Sequence, residues 1–243
     1  MTDAQLARDI AEEAGRLLLD LRAASGLSGA ALGAEGDRRA NSLILGRLLA
    51  ARPADSVLSE ESGDDLARCA SPRVWIVDPL DGTREYGEGR DDWAVHVALA
   101  VDGAAAAGAV ALPGLGATLT SEGGGGPSPV PDRPRMVVSR SRPPAIARRV
   151  GDAIGAELIP MGSAGAKAMA VVRGRADLYL HAGGQHEWDN CAPVAVARAH
   201  GLHASRIDGS PLLYNCPDPR LPDLLICHPD LAERVIDLVR KLS

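Results

Sequence analysis

The sequence predicts a mixed fold, an α+β half followed by a layered α/β half, on three observations. Two apolar patterns at helical spacing occupy the first 51 residues. Short, dense apolar runs typical of strands follow, two of them joined by Asp102-Gly103. Beyond a Gly- and Pro-rich stretch, strand and helix patterns alternate to the end. With 243 residues at 46% hydrophobic content, the chain can bury a sizeable core as one large domain or two packed halves.

Leu6, Ile10, Ala14, Leu17, Leu18 and Leu21 define an amphipathic helix over 3–24, with Asp3 near its start and Gly26 and Gly29 beyond its end. A second helix is expected over 37–51, with Leu43, Ile44, Leu48 and Leu49 on its apolar side and Pro53 just past it. Strands are expected at 56–58 and 74–77; the latter, VWIV, is dense enough to be buried on both faces. WAVHVALAV (93–101) and 104–112 read as an antiparallel hairpin about Asp102-Gly103. SEGGGGPSPVPDRP (121–134), with four Gly and four Pro, reads as a loop. Strands near 135–139, 157–161, 177–181 and 223–227 then alternate with helices near 143–154, 165–173, 190–200 and 229–242. The expected organisation is an N-terminal half, 1–121, and a C-terminal half, 135–243, joined by the loop 122–134.

Composition excludes several functions. A formal charge of -6 does not suit a nucleic-acid partner, and with no Phe and three each of Trp and Tyr there is no ladder of stacking platforms. No apolar run approaches the ~20 residues of a membrane span, and the polar, acidic start is no signal peptide. Four scattered cysteines without a CxxC pair fit buried thiols in a reducing compartment, so a cytoplasmic location is expected. No GxGxxG opens a βα turn and no P-loop is present.

The chemistry lies in acids at the ends of elements. Asp78-Pro79-Leu80-Asp81-Gly82-Thr83 directly follows VWIV, so two carboxylates at a strand end can point to one place, with the Leu80 carbonyl between them. Hard divalent cations need such oxygen ligands, although a bare DxxD is also an ordinary turn. Glu60 in SEES follows the preceding strand, Asp189 opens a later helix, and Asp37 stands at the start of the second. The backbone amides of Gly82 and Thr83, at a helix start, suit a phosphate oxygen.

SEES, VWIVDPLDGTREY, GSAGAKAMAVVRGRADLYLHAGG and EWDNCAP, in this order, resemble the inositol monophosphatase superfamily of lithium-sensitive, metal-dependent phosphatases, and most of all its bacterial CysQ branch. The resemblance covers nearly the whole chain. It implies a five-layer α-β-α-β-α sandwich, frequently a homodimer, and a Mg²⁺-dependent phosphomonoesterase removing the 3′-phosphate of 3′-phosphoadenosine 5′-phosphate, a by-product of sulfate activation. It further implies that Glu60, Asp78, the Leu80 carbonyl, Asp81 and Asp189 bind two or three Mg²⁺ ions, and that Asp37 and Thr83 orient and deprotonate the attacking water. Candidate substrate contacts are Leu80, Gly82, Thr83, Arg84, Ser163, Lys167 and Asp189, with Arg84 facing a second phosphate; Tyr214-Asn215 is a candidate near the adenine or sugar, and His186 a candidate tuner of substrate choice. The family's threonine-containing segment before the helical aspartate is replaced here by Gly33-Ala34-Glu35-Gly36. Alternatives are an inositol-1-phosphatase or fructose-1,6-bisphosphatase of the same superfamily, or a catalytically idle nucleotide-binding regulator.

Overall fold

The computed structural model describes residues 1–242. Two long helices open the chain, α1 (Asp3–Ala24) and α2 (Gly29–Ala51). Thr2 caps α1: its hydroxyl accepts from the Gln5 amide while the Gln5 side chain returns to the Thr2 amide. A five-stranded sheet follows in the order β1-β2-β3-β4-β5, from β1 (Ser56–Ser59), β2 (Arg73–Asp81), β3 (Ala94–Val101), β4 (Ala104–Leu112) and β5 (Ala117–Thr120). Only its β1–β2 pair is parallel. The short helix α3 (Thr83–Gly87) leaves the end of β2. The expected hairpin joins β3 to β4, with Asp102 at φ 48° and Gly103 at φ 78°. Two successive positive φ values match the right-handed twist of the strands they join.

A second sheet, β7-β6-β8-β10-β9, is built from β6 (Arg135–Ser139), β7 (Glu157–Met161), β8 (Leu178–Ala182), β9 (His203–Ser205) and β10 (Asp223–Cys227). Its helices are α4 (Ala145–Ile154), α5 (Ala164–Val172), α6 (Glu187–Ala199) and α7 (Pro229–Leu242). Among the described residues no helix is long and apolar enough to cross a membrane.

Strand alternation sorts the core into layers. Trp75, Val77, Val95, Val97 and Leu99 of the first sheet face α1 and α2. Val74, Ile76, Ala98 and Val110 face the other way, onto α5 and α6, which in turn meet Val137, Tyr179, Leu224 and Ile226 of the second sheet. The far face of that sheet, with Met136, Val138, Leu180 and Leu225, packs on α4 and α7. The order is therefore α-β-α-β-α, as the resemblance implied.

Three differences from the sequence expectation have physical causes. Helix α2 begins at Gly29 rather than Asp37, which lies well inside it and not at its start. Gly33 and Gly36, which read as loop residues, are instead contact points. A Cβ at Gly33 would lie 2.6 Å from Thr83 Cγ2, and one at Gly36 about 3 Å from Leu80, Leu18 and Tyr86. Glycine's poor helix propensity is accepted there for close approach to β2 and α3. Strands β5 and β9 escaped notice because each is a short edge strand, of four and three residues.

Leu18 is fully buried on α1, against Gly36 of α2, and its carbonyl accepts from the Tyr86 hydroxyl at 2.7 Å. Leu18→Ala should lower unfolding free energy by about 2–5 kcal/mol in urea titration. Leu49→Ala, at a side chain 68% exposed on α2, should stay within about 0.5 kcal/mol; equal losses would contradict this packing.

Candidate active site

Asp78 and Asp81 stand three residues apart on one strand, an odd spacing that regular alternation sends to opposite faces. The structure resolves this with a bulge. Asp78 pairs with His96 and Asp81 with Ala94, so three steps on β2 match two on β3. The extra residue reverses the alternation: Leu80 turns towards α1 and α2, and Asp81 reaches the start of α5. Pro79, which has no amide proton, falls inside the irregular stretch.

Asp81 is held from several directions. It accepts from the Ala164 amide at 3.1 Å and the Gly165 amide at 2.6 Å, at the N-terminus of α5, and from the Ser163 hydroxyl. Ser163 also caps that helix, accepting from the Ala166 amide at 2.9 Å, with its own backbone at φ 45°. His96 Nε2 lies 3.3 Å from Asp81 Oδ2, while Nδ1 meets the Trp188 carbonyl at 3.0 Å. Burial alone would raise the Asp81 pKa; His96, Ser163 and the Gly165 amide outweigh it and bring it down to about 2. The His96 pKa is raised in turn: burial opposes the charged ring, and Asp81 and the Trp188 carbonyl overcome that. Gly165 is required here, since a Cβ would stand 2.0 Å from His96 Nε2.

Asp189 lies in the first turn of α6, where its Oδ2 accepts from the His186 amide at 2.6 Å. Its cap role therefore coexists with a second one. One oxygen each of Asp78, Asp81 and Asp189 lie within 4.8 Å of one another. Glu60, exposed and outside that group of three, lies close enough to Asp78 for the two carboxyls to interact. Burial, then the charges of Glu60, Asp81 and Asp189, push the Asp78 pKa well up. Desolvation and the charges of Asp189 and Asp81 push Glu60 to about 7. Such a cluster needs protons or a cation. Its all-oxygen donors, with the buried Leu80 carbonyl between them, suit a hard divalent ion.

Asp37 and Thr83 meet where α2 crosses α3. The Thr83 hydroxyl donates to the Leu80 carbonyl at 3.0 Å and is placed so that its one proton can instead turn to the Asp37 carboxyl, whose Oδ1 is buried without a partner among the described residues. Burial, then the charges of Glu61 and Glu60, raise Asp37 to about 7, against the Thr83 bond. Gly82, at φ 88°, turns the chain from β2 into α3.

Beside the acids opens a cleft of about 520 Å³, lined among others by Asp81, Gly82, Ser163, Lys167 and Asp189 from the predicted set. Its size suits a small ligand. Lys167 is buried, its ammonium donating to the Gly162 carbonyl at 3.0 Å and to the Ser163 carbonyl, and burial lowers its pKa. Arg84 does not line this cleft: it is exposed and bonded to Glu88 at 2.9 Å. The cation the sequence reading missed is Arg142, on the cleft wall after β6. Tyr214 and Asn215 also lie elsewhere. Tyr214 donates to Asn190, and Asn215 bonds Glu187 and the backbone of Arg68 and Ser71. His186 stacks on Trp188 at 4.6 Å, with Nδ1 3.8 Å from Asp189. Also unforeseen were His96, Tyr179, His181 and Gln185; the available signal was a lone histidine inside AVHVALAV and the same-face pair Tyr179 and His181 on β8.

A family model described as the inositol monophosphatase family matches residues 4–243. A 3′-phosphoadenosine 5′-phosphate phosphatase of Mycobacterium leprae is 50% identical over 257 aligned positions, covering 100% of this chain and 95% of the relative. A protein of the same description from Mycobacterium bovis is 54% identical over 231 positions, covering 90% and 86%. Among solved structures, CysQ of Bacteroides thetaiotaomicron superimposes with a TM-score of 0.79 at 25% identity, over 93% of this chain and 97% of that one. Inositol monophosphatase II of Staphylococcus aureus gives 0.81 at 21% identity, over 96% and 91%, a likeness of fold.

Asp37, Glu60 and Asp78 hold protons in the metal-free fold that the unfolded chain releases near its ordinary carboxylate pKa. Stability of the metal-free protein should therefore fall as pH rises from about 4 towards 7 and stay low above. After EDTA treatment the thermal midpoint should be lower at about pH 8 than at about pH 5.5, and Mg²⁺ should raise it more at the higher pH. A Mg²⁺ shift no larger at high pH would count against the acid cluster.

Proposed function

Since this chain belongs to the inositol monophosphatase family, we propose that it is a Mg²⁺-dependent phosphomonoesterase hydrolysing the 3′-phosphate of 3′-phosphoadenosine 5′-phosphate to AMP and phosphate. The observation that carries the reading is the meeting of Asp78, Asp81 and Asp189 within 4.8 Å beside a cleft walled by Arg142 and Lys167. Its relatives of that description, at 50% and 54% identity, support the choice of substrate.

In this reading Glu60, Asp78, Asp81, Asp189 and the Leu80 carbonyl hold two or three Mg²⁺ ions. Bound there, the ions would acidify a water and neutralise charge on the phosphoryl group and the departing oxygen. Asp37 and Thr83 then work as a pair: a hydroxyl has one proton and rotates freely, so Thr83 turned towards Asp37 presents its lone pairs to a water proton. The carboxylate of Asp37, desolvated and basic, is the final acceptor. The Gly82 and Thr83 amides, at the start of α3, receive a phosphoryl oxygen. Lys167 adds positive charge from beneath the wall. Arg142, with no acidic partner among the described residues, takes the phosphate that is not cleaved. A cytoplasmic place of action and a homodimer complete the proposal.

Phosphate release with Mg²⁺ should favour 3′-phosphoadenosine 5′-phosphate over inositol 1-phosphate and fructose 1,6-bisphosphate by about tenfold or more in kcat/KM. The opposite preference would overturn the substrate, and no Mg²⁺-stimulated release from any of them would favour an idle binding protein. Asp81→Asn or Asp189→Asn, with thermal midpoint retained, should lose at least about a hundredfold in kcat; near-normal turnover would refute the metal assignment. Arg142→Ala should lower kcat/KM about tenfold for the bisphosphate and leave adenosine 3′-monophosphate unchanged. Equal losses on both would remove Arg142 from the second phosphate.

A further inference from the structure

The wall of the cleft formed by β8 and the turn before α6 carries polar atoms with no partner among the described residues. Tyr179 and His181 alternate onto the same face of β8, while Leu180 between them enters the outer core. The chain then turns through Gly183 and Gly184, at φ 92° and 75°, and places Gln185 against Tyr179 before α6 begins. Gln185 is 4% exposed, and its Nε2 is 3.0 Å from the Tyr179 hydroxyl. Its Oε1 is buried with no partner among the described residues. Whichever way round the amide sits, one end is committed to Tyr179 and the other is open. His181 behaves alike: Nε2 meets the Gly183 carbonyl at 2.6 Å, and Nδ1 is buried without a partner among the described residues.

A buried amide end left unpaired costs stability. Its retention in the wall of the cleft is explained if a ligand completes it. The position narrows which part of the ligand. Gln185 lines the cleft together with Asp81 and Asp189, the amide of its neighbour His186 bonds Asp189, and its partner Tyr179 lies within the field of both acids, so the open amide faces the space that the acids face. Its backbone is also fixed there, with the carbonyl accepting from the Leu221 amide at 2.9 Å. Next to the phosphate undergoing cleavage, the first group a ribose offers is the neighbouring hydroxyl.

We propose that Gln185, oriented by Tyr179, is a specificity-determining residue whose open amide end hydrogen-bonds the hydroxyl vicinal to the scissile phosphate, the ribose 2′-hydroxyl in the substrate named above. This rests on the proposed function. It makes the enzyme a reader of ribo- against deoxyribonucleotides. A site built around one hydroxyl rejects the analogue that lacks it because the buried partner is left unsatisfied.

The test compares adenosine 3′,5′-bisphosphate with its 2′-deoxy analogue on the Mg²⁺-loaded full chain. The wild-type protein should turn over the deoxy analogue with kcat/KM lower by about tenfold or more. In Gln185→Leu the two substrates should come within about twofold of each other, because the hydroxyl has lost its partner. Tyr179→Phe, which frees the amide to rotate, should shrink the penalty in the same direction and serves if Gln185→Leu does not fold. Calorimetric Mg²⁺ binding without substrate should be unchanged in both, which separates loss of recognition from damage to the acids. A deoxy penalty that survives in both variants, or is absent from the wild type, would overturn the assignment while leaving the phosphatase reading standing. Failure of the wild type to release phosphate from the bisphosphate at all would overturn that reading, and the assignment with it.

Discussion

The structure depends on keeping like charges together. Asp78, Asp81 and Asp189 approach within 4.8 Å in a region where two of them are buried, and nothing in the hydrophobic effect favours that. The fold meets the cost unequally. Asp81 is stabilised as an anion by His96, Ser163 and the α5 amides, whereas Asp78 has one backbone amide, from Leu80, and is driven towards its protonated form. The asymmetry is useful, because a fully neutralised cluster would have no affinity left for a cation. One anchored carboxylate fixes the geometry, and its less satisfied neighbours supply the binding energy.

That geometry requires the elements bearing the acids to be locked to one another. His96 lies on β3, sits 3.3 Å from Asp81 of β2 and hydrogen-bonds the carbonyl of Trp188, the residue before Asp189. One buried ring thus connects the strand acids to the helical one. Glycines play the corresponding part in packing: Gly165 admits the ring, and Gly33 and Gly36 admit Thr83, Leu80 and Tyr86 against α2. The stretch Gly33–Gly36 departs in sequence from the family pattern, yet it is helical and delivers Asp37 to Thr83.

What could be read in advance follows from how local each cause is. Apolar periodicity and Asp-Gly turn chemistry act within a few residues, so the long helices, the β3–β4 hairpin and the alternation of the second half were legible. The acids were legible as motifs, since strand ends and turns announce themselves. The reversal at Pro79 that aims Asp78 and Asp81 together was not, because a bulge is defined only against the neighbouring strand. The start of α2 was hidden for a related reason: its glycines look like loop residues until the side chains they make room for are known. His96 and Gln185 are single polar residues whose partners lie far along the chain or across a turn.

The two arginines show where specificity has to reside. Arg84 follows DGT directly and was the natural choice for a second phosphate, but it already has Glu88 at 2.9 Å. Drawing it away would exchange one exposed ion pair for another, which yields little. Arg142 has no such attachment among the described residues and lines the cleft, so its charge is available to whatever enters. The same reasoning separates the two ends of the site. All substrates of this chemistry bring a phosphate to the acids, so the acids cannot tell them apart. Only groups left uncommitted by the protein itself, and satisfied by one ligand and not another, can contribute a difference in binding energy. In this chain those groups are on the wall formed by β8, the turn before α6 and the segment after β6.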